Sequence, residues 1–171
     1  VIDVSERMAR AVDAAAELLS KLRLDAMFVG GVARAAWLGG SLDGGPVDVV
    51  AVMSPEQKNQ VAMMASHRGF RVEREEIAQS EELDLIPLHF ESVRVHVLVA
   101  SNALYARMVR GAQNVRLGER ELKVPAAEDL ALLLTLAEDF ESVERLKEHP
   151  QFAQERFREM MTAVGLGERV R

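Results

Sequence analysis

The chain of 171 residues contains no cysteine. That excludes disulfide bridges, thiolate zinc sites and any thiol nucleophile, so its chemistry rests on other groups. No apolar run approaches the roughly 20 residues needed to cross a bilayer. The first residues also lack the basic-then-apolar pattern of a secretory signal, and a cytoplasmic location is the expectation. Positive charge is in short supply: 21 Lys and Arg stand against 27 Asp and Glu, a formal net charge of −6. Such a balance disfavours broad binding to a nucleic-acid backbone and favours small or basic partners. Internal repeats, low-complexity stretches and linkers are missing as well, and at roughly 100–200 residues per domain the length suits one domain. What is present is an ordinary globular composition, 49% apolar and 28% charged.

The punctuation of the chain predicts an order of elements. Asp3 with Glu6 has the pattern of a capping box, and Val4, Met8, Val12, Ala15, Leu19 and Leu22 recur at helical spacing. A first helix is expected to about Leu22. Ala26–Val29 reads as a short buried strand, Gly30-Gly31 as a turn, and Val32–Leu38 as a short helix closed by Gly39-Gly40. Pro46–Met53 is an apolar run interrupted by Asp48, as in a buried strand. Ser54-Pro55-Glu56 supplies an N-cap, an N1 proline and a first-turn acid, predicting a helix to His67 or Arg68 with Gly69 as its stop. Phe70–Arg74 follows as a strand and Glu75–Glu82 as an acidic loop. Leu83–Phe90 and Val93–Ala100 alternate as the arms of a hairpin about Glu91-Ser92, with His89 opposite Arg94 and His96 on the same face. A helix over Asn102–Arg110, a hairpin over Val115–Val124 around Gly118-Glu119, an apolar helix from Pro125 to Leu136 and two further helical stretches parted near Pro150 complete the chain. The sum is one α/β (α+β) domain over residues 1–171, its core at about 1–124 and a helical part at 125–171.

Each chemical candidate has two readings. A diglycine ahead of a helix lets backbone N–H groups approach a phosphate, but close packing of a helix on a strand also needs glycine. Asp48 in an apolar strand is costly unless it is paired or functional. His89 and His96 suit a solvated sheet face, a satisfied core or a metal. Glu73, Glu75, Glu76, Glu81, Glu82 and Asp84 read as solvated surface, with a substitute metal site as the alternative. Met63 and Met64 read as core filler, and Leu130, Leu132, Leu133, Leu134 and Leu136 as packing.

The order helix, strand, diglycine, short helix and acid-bearing strand carries a likeness. Its residues are Phe28-Val29-Gly30-Gly31-Val32-Ala33 and Val47-Asp48-Val49-Val50-Ala51-Val52, followed by Val95-His96-Val97-Leu98-Val99-Ala100 and Pro125-Ala126-Ala127-Glu128-Asp129-Leu130. From about Asp25 to Leu136 the chain resembles the minimal nucleotidyltransferases, and more narrowly the bacterial AbiEii-like or MNT-like proteins. The resemblance implies a mixed sheet flanked by helices with a helical C-terminal segment. It also implies transfer of a nucleotide from a triphosphate through magnesium or manganese held by carboxylates.

Residue by residue, the resemblance puts Asp48 at the first carboxylate position, as candidate metal ligand, with Val50 at the second and His96 at the third. Asp48 and His96 are therefore the candidate catalytic residues, and Gly30 and Gly31 the candidate phosphate or nucleotide site. The family's arginine falls at Gly44 and its lysine at Leu134. These losses predict an impaired or inactive member with a degenerate active site, needing no cofactor and binding a nucleotide or another phosphate ligand. An active magnesium- or manganese-dependent enzyme is one alternative. A protein-interaction module, as homo-oligomer or as partner of another protein, is the other. Asp48 and His96 are expected on adjacent strands, facing one cleft whose other wall begins at Gly30.

Overall fold

The computed structural model describes residues 5–42, 44–73, 75 and 84–167. Helix α1 (Glu6–Lys21) begins where the Ser5 side chain accepts a hydrogen bond from the Met8 N–H. Ser5 is thus the cap, while Asp3, proposed for that role, lies outside the described residues. Strand β1 (Ala26–Val29) runs directly into α2 (Gly30–Leu38), so the diglycine expected as a separate turn is the helix's own first turn. Gly30 makes this possible by taking φ 59, a left-handed conformation that turns the chain within one residue.

Strand β2 (Val47–Ala51) leads to α3 (Pro55–His67), which opens on a Ser54–Gln57 capping box and stops at Gly69, φ 84. Strand β3 (Phe70–Arg71) is shorter than the expected Phe70–Arg74, and Arg74 lies outside the described residues. The acidic loop expected over Glu75–Glu82 also falls almost wholly outside them. Strands β4 (Leu85–Phe90) and β5 (Val93–Val99) form the hairpin, with His89 opposite Arg94 and Glu91 at φ 53 in the turn. Then come α4 (Ala103–Arg110), the hairpin β6 (Gln113–Leu117) and β7 (Arg120–Val124), α5 (Ala127–Leu136), α6 (Phe140–Lys147) and α7 (Gln154–Ala163).

Five strands pair in the order β1-β2-β5-β4-β3, and β6 and β7 make a separate ribbon. Only β2 and β5 run parallel; β1 with β2, β5 with β4 and β4 with β3 are antiparallel. Parallel neighbours cannot be joined by a tight turn, and here the connection is made through α3 and the β3–β4 stretch. Alternation gives the central strands two unlike faces. One presents Val47, Val49, Ala51, Val95 and Val97, all buried, with α1 packed on β2 and β5. Each such valine contributes about 1.5–3 kcal/mol when fully removed from water. The other presents Asp48, Val50, His96 and Leu98, with α2 and α4 packed on β2.

The helical end locks the glycine helix in place. Trp37 Nε1 donates to the Pro125 carbonyl at 2.9 Å, Arg145 donates to the Leu38 carbonyl at 3.0 Å, and Arg34 pairs with Asp139 at 3.2 Å. Helix α5 is buried around most of its circumference, including Leu130, Leu132 and Leu134. Leu136, expected to pack, is instead 56% exposed, because it ends the helix where the chain turns away at Glu138, φ 60. Met63, expected in the core, is 61% exposed: Val61 and Ala65, one helical turn apart, face inward and leave it on the outer side of α3. Among the described residues no helix is long and apolar enough to cross a membrane.

Candidate functional site

The parallel register between β2 and β5 sets Asp48 beside His96 and Val50 beside Leu98. The Asp48 Oδ1 and His96 Nδ1 atoms are 2.9 Å apart, and the two side chains are 25% and 26% exposed. An ionised carboxylate only accepts hydrogen bonds, so the tautomer that suits this pair is the one with the proton on Nδ1. The two candidate catalytic residues therefore meet, on adjacent strands and on one face.

The other carboxylate oxygen explains Gly30. A Cβ built at residue 30 would lie 2.9 Å from Asp48 Oδ2, closer than real Cβ atoms come to a neighbour. Gly30 thus meets two demands at once, a left-handed turn and room for the acid. Gly31 meets neither: a Cβ there would touch only Leu42, at an ordinary 3.9 Å. The placement also bears on phosphate binding. Val29, the N-cap of α2, offers no side-chain bond, and the positive end of the helix dipole faces the Asp48 carboxylate. A phosphate approaching that end meets a negative charge already in position.

Magnesium and manganese bind best to several oxygen donors in near-octahedral array. Here the donors are one carboxylate, engaged with an imidazole, while Val50 and Leu98 fill the adjoining positions on the face. Among the described residues no group of three His, Asp or Glu side chains could enclose an ion. Among the described residues the protein thus offers a hard divalent cation a single carboxylate at this place. Nor is a cation supplied from Gly44, which turns at φ 91, or from Leu134, which is buried.

Along the same face the sheet opens into a cleft of about 330 Å³ that Gly30 borders. Val50, Leu98, Tyr105 and Leu133 form its apolar walls, and Asp84 and Ser101 add polar groups. Tyr105 is held in the first turn of α4 by its backbone N–H, which donates to Asn102 Oδ1 at 2.9 Å. Asp84 adopts φ 49 just before β4, and its carbonyl accepts the Val99 N–H at 2.7 Å. Read from the sequence as one of a run of surface acids, Asp84 is exposed and also borders this cleft. Among the described lining residues it is the one with a formal charge.

The Pro125–Leu130 segment that carries the resemblance holds a second cluster, whose acids had no role of their own in the sequence reading. Glu128 and Asp129, in the first turn of α5, are both buried. Asp129 Oδ1 accepts from Arg107 of α4 at 3.2 Å, Oδ2 lies 3.6 Å from Arg156 of α7, and Glu128 accepts the Ala153 N–H at 2.6 Å. These acids pin α4 and α7 to α5, the helices α4 and α5 being those that carry Tyr105 and Leu133. A signal was present: in a helix as apolar as Leu130–Leu136, acids in the first turn have little solvent face to occupy.

No known protein family matches the sequence, and no curated protein does. Solved structures do match. The crystal structure of ANT(2")-Ia in complex with adenylyl-2"-tobramycin aligns with a TM-score of 0.61 over 91% of this chain and 95% of that one, at 13% identity. ANT(2")-Ia is a nucleotidyltransferase, an aminoglycoside adenylyltransferase. This chain therefore has a nucleotidyltransferase-like fold, a mixed five-stranded sheet flanked by helices.

Proposed function

We propose that this chain is a nucleotidyltransferase-fold protein impaired in nucleotidyl transfer, which uses the cleft beside Gly30 to bind a small ligand. One observation carries the reading: Asp48 is bonded to His96, and the positions that flank the pair on the same face are Val50 and Leu98. Transfer from a triphosphate needs its charge neutralised and its phosphates oriented, and one engaged carboxylate does little of either. The narrower likeness to AbiEii-like or MNT-like proteins belongs to this reading, since it makes Val50 and His96 stand where carboxylates are expected. Nucleotides are the compounds that test the reading most directly, because the solved neighbour holds an adenylyl group.

The test is incubation with each of the four ribonucleoside triphosphates, with magnesium or with manganese, while pyrophosphate release and calorimetric binding are followed. No pyrophosphate above the no-protein control is expected. Release that Asp48→Asn abolishes would overturn the reading and restore an active enzyme.

A further inference from the structure

Resting on the reading that the cleft binds a small ligand, we infer that its ligand is a compact organic cation, an amine on an apolar body, rather than a triphosphate. Three observations converge. The walls are Val50, Leu98, Tyr105 and Leu133, which gain by excluding water from an apolar group and leave hydroxyl-rich ligands without partners. The formal charge among the cleft's described lining residues is negative: Asp84 borders it, and no described lysine or arginine lines it, while Asp48 stands behind Gly30, outside the lining. A triphosphate would bring several negative charges to Asp84 with no lysine or arginine among the described lining residues to meet them, whereas an ammonium group gains a charge-assisted hydrogen bond. The third is size, since about 330 Å³ is near the lower end of small-molecule sites and suits one ring system with a short arm.

The geometry assigns the parts. The apolar body lies between Val50 and Leu98 of the sheet and Tyr105 and Leu133 of the helices, and the ammonium group reaches Asp84, with the Ser101 hydroxyl as a further acceptor. Tyr105 also offers an aromatic ring, whose face attracts cations.

Matched probes of opposite charge test this. Tryptamine and indole-3-propionate share an indole and a short arm but carry opposite charges at pH 7. Titrated calorimetrically into the full chain, tryptamine is expected to bind in the micromolar to millimolar range and at least tenfold more tightly than indole-3-propionate. Asp84→Asn keeps the shape and suits the left-handed backbone, so it is expected to fold as the wild type and lose about tenfold in tryptamine affinity while leaving indole-3-propionate unchanged. Tobramycin, a polar polycation, is expected to bind more weakly than tryptamine. Equal affinity for the two indoles, an unaltered Asp84→Asn variant, or no tryptamine binding at millimolar concentration each overturns the inference. Magnesium-dependent triphosphate binding stronger than tryptamine binding would overturn it too, while leaving the impaired-transferase reading standing unless pyrophosphate is also released.

Discussion

Asp48 Oδ2 occupies the space that a side chain at residue 30 would need, a Cβ there standing 2.9 Å from it. Gly30→Ala must therefore bear a left-handed backbone, at roughly 1–2 kcal/mol, in addition to the contact. A loss of about 2 kcal/mol or more in urea unfolding is expected. In an Asp48→Ala background the contact disappears and the loss should shrink to the backbone part. Gly31→Ala, which meets only Leu42, is expected to be neutral or stabilising by up to about 1 kcal/mol through helix propensity. Equal effects at the two glycines would show that Gly30 is not shaped by Asp48.

Carboxylates can be added where the resemblance expects them. Val50→Asp with His96→Asp sets three acids on adjacent strands of one face, and thermal melts with and without manganese read the result. Without metal the double variant should melt below the wild type, because Val50 is buried and the added charges repel. Manganese should recover much of that loss, since an ion that binds only the folded state stabilises it. If manganese raises the wild-type melting temperature as much, Asp48 and His96 already hold metal and the impaired reading is wrong.

The Asp129 cluster predicts an asymmetry. Asp129 is fully buried with Oδ2 lacking a hydrogen bond, while Arg107 and Arg156 are each nearly half exposed. Replacing both arginines by methionine strands a buried charge and should cost about 3–5 kcal/mol. Asp129→Asn leaves arginines that water can still solvate, and should cost only about 1–2 kcal/mol. Chemical denaturation of the two variants decides it, and equal losses would mean the arginines do not compensate the acid.

Stability at low pH should depend on Asp139. Its burial alone raises the carboxyl pKa, but hydrogen bonds from Ser142 and the Arg34 guanidinium outweigh this and hold it below the ordinary aspartate value. A folded pKa below the unfolded one means the stabilisation is present above the unfolded aspartate value, about 3.9, and is lost as the pH falls through the folded value. Asp139→Asn should therefore destabilise the protein at pH 6 and flatten the decline of melting temperature below pH 4. Parallel wild-type and variant curves over pH 2.5–6 would exclude a role for this group.

Much of the scaffold was legible because the signals are local. Ser54-Pro55 and Gly69 bracket α3, and the alternation of Val93, Val95 and Val97 assigned the faces of β5 before any partner was known. Asp48 and His96 were matched through the resemblance, since spacing within either strand says nothing about which strands pair. Apolar character also misled at Met63 and Leu136, both exposed. Periodicity tells which residues share a helix face, but where the covering layer stops depends on elements distant in the chain. Glu128 and Asp129 entered only as part of the segment that carries the resemblance, and the arrival of Arg107 and Arg156 from α4 and α7 is what makes their burial tolerable.

By itself the sequence determined the order of elements, the apolar faces and the presence of one acid in a buried strand, because backbone sterics and side-chain period act over a few residues. The tertiary structure alone decided what those pieces do to one another. It put Asp48 against Gly30 and His96, made residues 30, 50, 84, 98, 105 and 133 neighbours around one cleft, and gave Asp84 a cavity to border. Such contacts depend on sheet order and helix packing, which join distant segments and leave no pattern within any one of them.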